Sequence, residues 1–166
     1  MAVSITVESP LNDEMRALIA ALNEYLRPLS PPEFQFQMTV DEMAEPDTTV
    51  FVARNGSGRA VGCGALKMHA GGLGEVKRMF TVPEARGAGV GSEILAAIIA
   101  RARSAGLTWL MLETGAGAGF AVAWALYESN GFTRRGPFLN YPASQWSAYF
   151  ELALRGSAAD SGSVPA

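Results

Sequence analysis

The chain holds a single cysteine and a single histidine among its 166 residues. Cys63 alone cannot close an internal disulfide, and together with His69 it is too little for a Cys- or His-based metal centre, so no metal is expected. Charge is scarce: 17% of residues are charged and 49% are hydrophobic, which excludes a disordered chain or a solvated coiled coil. There is no basic surplus, with 13 Lys and Arg against 16 Asp and Glu and a net charge of −3. A sequence-independent nucleic-acid binder needs a basic footprint, so no nucleic-acid partner is expected. No uninterrupted apolar run approaches the roughly 18 residues of a membrane span. The first ten residues, MAVSITVESP, lack the basic and apolar regions of a secretory signal. The expectation is a cytoplasmic protein, with a single domain over residues 1–154 and a small, polar, disordered tail over 155–166.

What is present is a clear succession of short elements. Ser4 to Glu8 alternates with β-branched residues and predicts a strand. Leu11, Met15, Leu18, Ile19, Leu22 and Leu26 follow at helical spacing, with Ser9 or Asn12 as cap and the PLSPP run as stop. Thr39 to Glu45 predicts a short helix. Thr49 to Arg54 and Ala60 to His69 flank the turn Asn55–Gly58 and predict a hairpin. A further strand runs from Glu75 to Val82. A helix carrying Ile94, Leu95, Ile98, Ile99 and Ala102 on one face follows, with Gly106 as its stop. Leu107 to Leu112 is apolar on both faces and predicts a strand buried on both sides. Ala118 to Asn130 predicts a helix, and Phe132 to Arg135 and Trp146 to Leu154 the last strands. Hairpin-linked strands followed by strands alternating with helices predict an α/β (α+β) fold, a mixed sheet with helices on both faces.

The most informative stretch is Arg86-Gly87-Ala88-Gly89-Val90-Gly91-Ser92, between a strand and a helix. Glycines at a helix start leave backbone N–H groups free and let an anion approach them, and the helix dipole favours negative charge there. Arg86 adds a full positive charge. A P-loop would need Lys after Gly91 and has none. The dinucleotide fingerprint G-x-G-x-x-G is not matched by Gly87, Gly89 and Gly91. Glu113 stands near the place of its ribose-binding acid, but the preceding strands are joined by hairpin turns rather than helices.

Arg86-x-x-Gly89-x-Gly91 resembles the Q/R-x-x-G-x-G/A signature of the GNAT N-acetyltransferase family. Ala123-Trp124-Ala125-Leu126-Tyr127-Glu128-Ser129-Asn130-Gly131-Phe132 looks like its A-x-x-L-Y-x-x-x-G-F segment. Gly62–Leu66, Gly74–Met79, Leu112–Gly115 and Pro137-Phe138 before Tyr141 resemble one branch of small bacterial members. The resemblance spans about residues 3–154. It implies a mostly antiparallel sheet of about seven strands and an enzyme that uses acetyl-CoA as cosubstrate. It implies transfer of the acetyl group directly to a primary amine of a small molecule or peptide. A non-catalytic acyl-CoA-binding module of the same fold is the alternative, and a homodimer is a further expectation.

Carried residue by residue, the resemblance implies that the N–H groups of Gly87, Ala88, Gly89, Val90, Gly91 and Ser92, with Arg86, hold the pyrophosphate. It implies that Met79, Phe80 and Val82 lie along the pantetheine, with the backbone of Phe80 and Val82 pairing to its amides like an added strand. Tyr127 matches the acid that protonates the departing thiolate. Glu75 and Glu113 are the two candidate bases. Phe120 stands where the family often has Asn or Gln. Lys77 and Arg78 are expected on opposite sheet faces, His69 at the surface, and Cys63 in packing. Tyr25, Phe34, Phe36, Tyr141 and Trp146 are candidates for the acceptor pocket, with Glu33, Asp41 and Glu42 as attractors of a cationic acceptor.

Overall fold

A computed structural model describes residues 2–154; the expected tail, 155–166, lies outside them. Seven strands form one sheet: β1 (Ser4–Val7), β2 (Thr48–Arg54), β3 (Ala60–His69), β4 (Leu73–Thr81), β5 (Trp109–Gly115), β6 (Thr133–Arg135) and β7 (Ser147–Ala153). Their order is β1-β2-β3-β4-β5-β7-β6. Every neighbouring pair is antiparallel except β4 and β5. That parallel pair requires a crossover, which the glycine loop and helix α3 (Val90–Ser104) supply.

Helix α1 (Asp13–Leu26) starts at Asn12, whose side chain accepts from the Met15 N–H at 2.9 Å. Its buried stripe is Met15, Leu18, Ile19 and Leu22, the spacing that puts side chains on one face. Helix α2 (Val40–Met43) is a single turn held by a capping box between Thr39 and Glu42. Glu42 is thus spent on its own helix. On α3, Ile94, Leu95, Ile98 and Ala102 are sealed from solvent, each large side chain contributing about 1.5–3 kcal/mol by burial.

Two details position the site. First, β4 and β5 pair only from Leu73 to Glu75 and from Trp109 to Met111; beyond that they part. Second, β4 carries a bulge. The β3–β4 register shifts between Cys63 and Ala65, and Arg78 adopts φ 56°, an uncommon conformation for a non-glycine residue.

The structure corrects two expectations. β5 is buried on one face only: Leu110 and Leu112 are sealed, whereas Trp109 is 36% exposed. It also runs on to Gly115. The helix expected from Ala118 begins as a 3-10 turn over Ala118–Phe120 before α4 (Ala121–Ser129), because Gly117 takes φ 113° at its start.

Candidate active site

The parting of β4 and β5 opens into a cavity of about 410 Å³. One end is the loop before α3. Gly87 and Gly89 take φ 83° and 84°, where a β carbon is costly. Gly89 caps α3 without a side chain, so the first-turn N–H groups of Val90, Gly91 and Ser92 have no intrahelical acceptor. These residues line the cavity. Nothing lies within 4 Å of the place a β carbon would take at Gly87 or Gly89, so the space over the loop is open to an anion. Arg86 spans the mouth: its Nε donates to the Thr81 carbonyl at 2.8 Å, and its guanidinium stands 4.8 Å from the Tyr25 ring centroid.

The loop residues are not equivalent. Ala88 is exposed and off the cavity wall. The side chain of Val90 is core, leaving only its backbone for a ligand. Along β4, the Val82 N–H donates to the Val61 carbonyl at 2.9 Å. That overturns the expected pairing of Val82 with pantetheine. Because ladder bonds alternate along a strand and Phe80 sits opposite Cys63 in the same register, the Phe80 backbone also turns toward β3. Thr81, between them, turns its backbone toward the cleft, as its bond from Arg86 shows. Met79 lines the cavity.

Farther in, Glu113 lines the wall from β5. It accepts one hydrogen bond, from Ser147 Oγ at 2.8 Å. Burial pushes its carboxyl up to about 7, and the Ser147 hydroxyl and the Lys77 charge pull it back only in part. Tyr127 lines the cavity from α4, its ring packed on Phe132 and Phe150. Its hydroxyl makes no hydrogen bond among the described residues. Burial first, and then the neighbouring Glu113, push its pKa up, so the phenol stays protonated.

Glu75 is placed differently. It is 3% exposed and does not reach the cavity wall. Its Oε1 meets His69 Nε2 at 2.9 Å; its Oε2 accepts from Tyr141 OH at 2.5 Å and Lys77 Nζ at 3.2 Å. Lys77 also donates to Tyr141 OH at 2.9 Å. His69, expected at the surface, is therefore tied into an inner network. Lys77 and Arg78, expected on opposite faces, both line the cavity, because the bulge at Arg78 breaks the alternation. Cys63 is wholly buried, its thiol pushed up to about 12 by desolvation, in keeping with a packing residue.

Tyr25, Phe34 and Phe36 line the cavity beside α1; Tyr141 stacks edge-on against Phe36 behind them, and Trp146 is off the wall. None of Glu33, Asp41 and Glu42 lines it. Sequence reasoning missed Ser147, which lies 34 positions from the carboxylate it bonds and carries no local signal.

Three comparisons bear on this arrangement. Residues 46–134 match the model of the acetyltransferase (GNAT) domain. The chain is 44% identical to a protein of Azospirillum brasilense named "IAA acetyltransferase", over 92% of this chain and 98% of that one. Among solved structures, a protein of Klebsiella pneumoniae assigned provisionally as an acyl-CoA N-acyltransferase is 34% identical with a TM-score of 0.77, covering 92% and 98% of the two chains. The PaiA N-acetyltransferase of Thermoplasma acidophilum, solved with coenzyme A, shares the fold at 14% identity and a TM-score of 0.72, covering 92% and 99%. The chain belongs to the GNAT family of acetyltransferases, whose acyl donor is acetyl-CoA.

Proposed function

We propose that the protein transfers acetyl from acetyl-CoA directly to a primary amine, within one complex of both substrates. The observation that supports this most is a single cavity. It joins an open anion cradle at Gly87–Ser92 to a carboxyl group at position 113 and a phenol at position 127. The cradle fits a pyrophosphate, because its free N–H groups and helix dipole converge where no side chain intrudes.

In this reading the amine lone pair attacks the thioester carbonyl carbon. The C–N bond forms, the C–S bond breaks and sulfur leaves as thiolate. An amine is protonated near neutrality and must first lose a proton. Glu113, with its pKa pushed up to about 7, takes it, directly or through water. Tyr127, held protonated, gives its proton to the departing thiolate, and the surplus proton on the attacking nitrogen leaves to water or to the phenolate as the amide forms. Glu75 is a positioning residue: both its oxygens are engaged by His69, Lys77 and Tyr141, and it fixes Lys77 at the wall. Holding both substrates in line supplies much of the acceleration. Direct transfer is favoured over an acyl-enzyme because the one cysteine is sealed in the core with a raised pKa.

Calorimetric titration with acetyl-CoA, with NAD⁺ and NADPH as controls, tests the reading. Micromolar binding is expected for acetyl-CoA alone. Gly89→Val, which puts a branched side chain into the open space and strains a positive φ, is expected to weaken it by about tenfold or more. Thiol release on adding amines then reports turnover. Binding without thiol release from a broad amine panel would leave a binding module in place of an enzyme. No binding would remove the reading.

A further inference from the structure

Among the described residues, three cationic ones line the cavity, Lys77, Arg78 and Arg86, against a single acid, Glu113. Their circumstances differ. Arg86 is exposed at the mouth beside the anion cradle. Lys77 is matched by Glu75. Arg78 is 8% exposed and has no carboxylate among the described residues. Among the described residues its side chain makes one hydrogen bond, from Nη2 to the amide oxygen of Asn23 on α1. Its Nε is sealed and has no hydrogen-bond partner among the described residues. Its Nη1 makes no hydrogen bond among the described residues and is not sealed as Nε is, and Arg78 is one of the residues that line the cavity.

A buried guanidinium presents a rigid fork of donors that matches a carboxylate. Leaving it desolvated without a counter-charge is unfavourable. Burial pulls the Arg78 pKa down, with no carboxylate to oppose it. The position is also specific. Arg78 precedes Thr81 by three residues, roughly 10 Å of strand, so it stands away from the phosphate cradle. Its bond to Asn23 turns it toward the wall of α1, where Leu22, Tyr25 and Phe36 border the same cavity.

Building on the N-acetyltransferase reading, we propose that the acceptor is an amine that also carries a carboxylate, and that Arg78 receives that carboxylate. Nη1, without a hydrogen bond among the described residues and not sealed, is the donor left to meet the carboxylate beside Nη2, and the amine is left pointing along the cavity toward Glu113. Glu33, Asp41 and Glu42, weighed as attractors of a cationic acceptor, do not line this cavity.

The test is thiol release by the full chain with amino acids, α and ω, aliphatic and aromatic, each paired with its primary amide. Rates are expressed per free amine so that amine basicity drops out. The acid is expected to exceed its amide in kcat/KM by about 10–10²-fold, the range for a hydrogen bond to a charged group. In Arg78→Met that ratio is expected to collapse toward one through KM, while acetyl-CoA affinity moves less than about twofold. Arg78→Lys keeps the charge but loses the fork; it is expected to retain part of the ratio and decides the matter if Arg78→Met does not fold. Equal rates for acids and amides would overturn the proposal while leaving the N-acetyltransferase reading intact. A loss in Arg78→Lys that falls on acetyl-CoA binding, or equally on both members of each pair, would also overturn it. If no pair is turned over, calorimetry with the CoA-loaded protein decides: binding of acids and not of amides supports the proposal, and any other pattern overturns it. Absence of thiol release from every amine, these pairs included, counts separately against the N-acetyltransferase reading.

Discussion

The ring of Phe120 lies against the backbone of Gly115, so that a β carbon at position 115 would stand 2.1 Å from Phe120 Cζ. The contact closes the cavity wall where β5 hands over to α4. Gly115 also accepts a hydrogen bond from Trp124 Nε1 through its carbonyl at 2.9 Å, which ties the helix back to the strand end. The aromatic at 120 and the absence of a side chain at 115 are therefore one structural choice.

Gly115→Ala is expected to destabilise the protein by about 1–3 kcal/mol through overpacking. Gly115 is not among the glycines of positive φ, so the clash alone is responsible. In a Phe120→Ala background the same substitution is expected to cost markedly less. Urea midpoints at constant m-value, combined in a double-mutant cycle, measure the coupling. Equal costs in the two backgrounds would show that the ring does not limit position 115.

Much of this architecture was legible because it is written in local chemistry. Asn55–Gly58 marks a hairpin, the stripe Met15, Leu18, Ile19, Leu22 marks a helix, and the glycines at 87 and 89 mark a backbone that turns through positive φ. The site was legible only where it coincides with such signals. The bulge was not, because Arg78 adopts a left-handed conformation without being glycine, and strict alternation then misplaced it and Lys77. The partners of Glu75 were not either, since Tyr141 lies 66 positions away and only the folded sheet brings it near. The Phe80 and Val82 pairing failed for a related reason: which edge of a strand is free depends on register with its neighbour, which composition does not encode.

The carboxyl of Glu113, with a pKa of about 7, predicts a kcat/KM that rises with pH through neutrality as the base loses its proton. Glu113→Gln is expected to flatten that limb and to lower the rate by about 10²–10⁴-fold. Ser147→Ala removes a hydrogen bond that holds the pKa down, so the limb is expected to move to higher pH. Stability carries the same signature with a definite sign. The folded pKa lies above the ordinary carboxyl value of 4.5, so the folded state binds the extra proton. The protonated carboxyl favours the fold fully below about 4.5, and this contribution fades as pH rises through about 7. A chemical-denaturation series from pH 5 to 8 is expected to show Glu113→Gln losing less stability than the parent over that window.

Tyr127→Phe separates chemistry from binding. The hydroxyl makes no hydrogen bond among the described residues, while the ring packs on Phe132 and Phe150. Removing the oxygen is therefore expected to leave the melting temperature within about 2 °C. If the hydroxyl serves the departing sulfur, kcat is expected to fall by about 10²-fold or more with acetyl-CoA affinity little changed. A kcat within a factor of two of the parent would show that Tyr127 is a packing residue.

Cys63 decides between direct transfer and a two-step route through an acyl-enzyme. An acyl-carrying thiol must reach the thioester carbonyl as thiolate. Cys63 cannot do so in this fold. It is wholly buried between small strand residues, its Sγ lies 3.5 Å from the Arg78 carbonyl oxygen, and desolvation pushes its pKa up to about 12. Near neutral pH the thiolate fraction at that pKa is on the order of 10⁻⁵. Cys63→Ala is accordingly expected to keep kcat within about twofold of the parent, at a stability cost of about 1 kcal/mol for the lost sulfur contacts. Iodoacetamide is expected to leave the native protein both unmodified by mass and fully active, and to react only after denaturation. The kinetic counterpart is an intersecting pattern of initial rates when acetyl-CoA and amine are varied together, since both must be bound before either product leaves. Parallel lines, or an inactive Cys63→Ala that remains folded, would require a covalent intermediate and with it a conformation in which β3 opens to expose position 63.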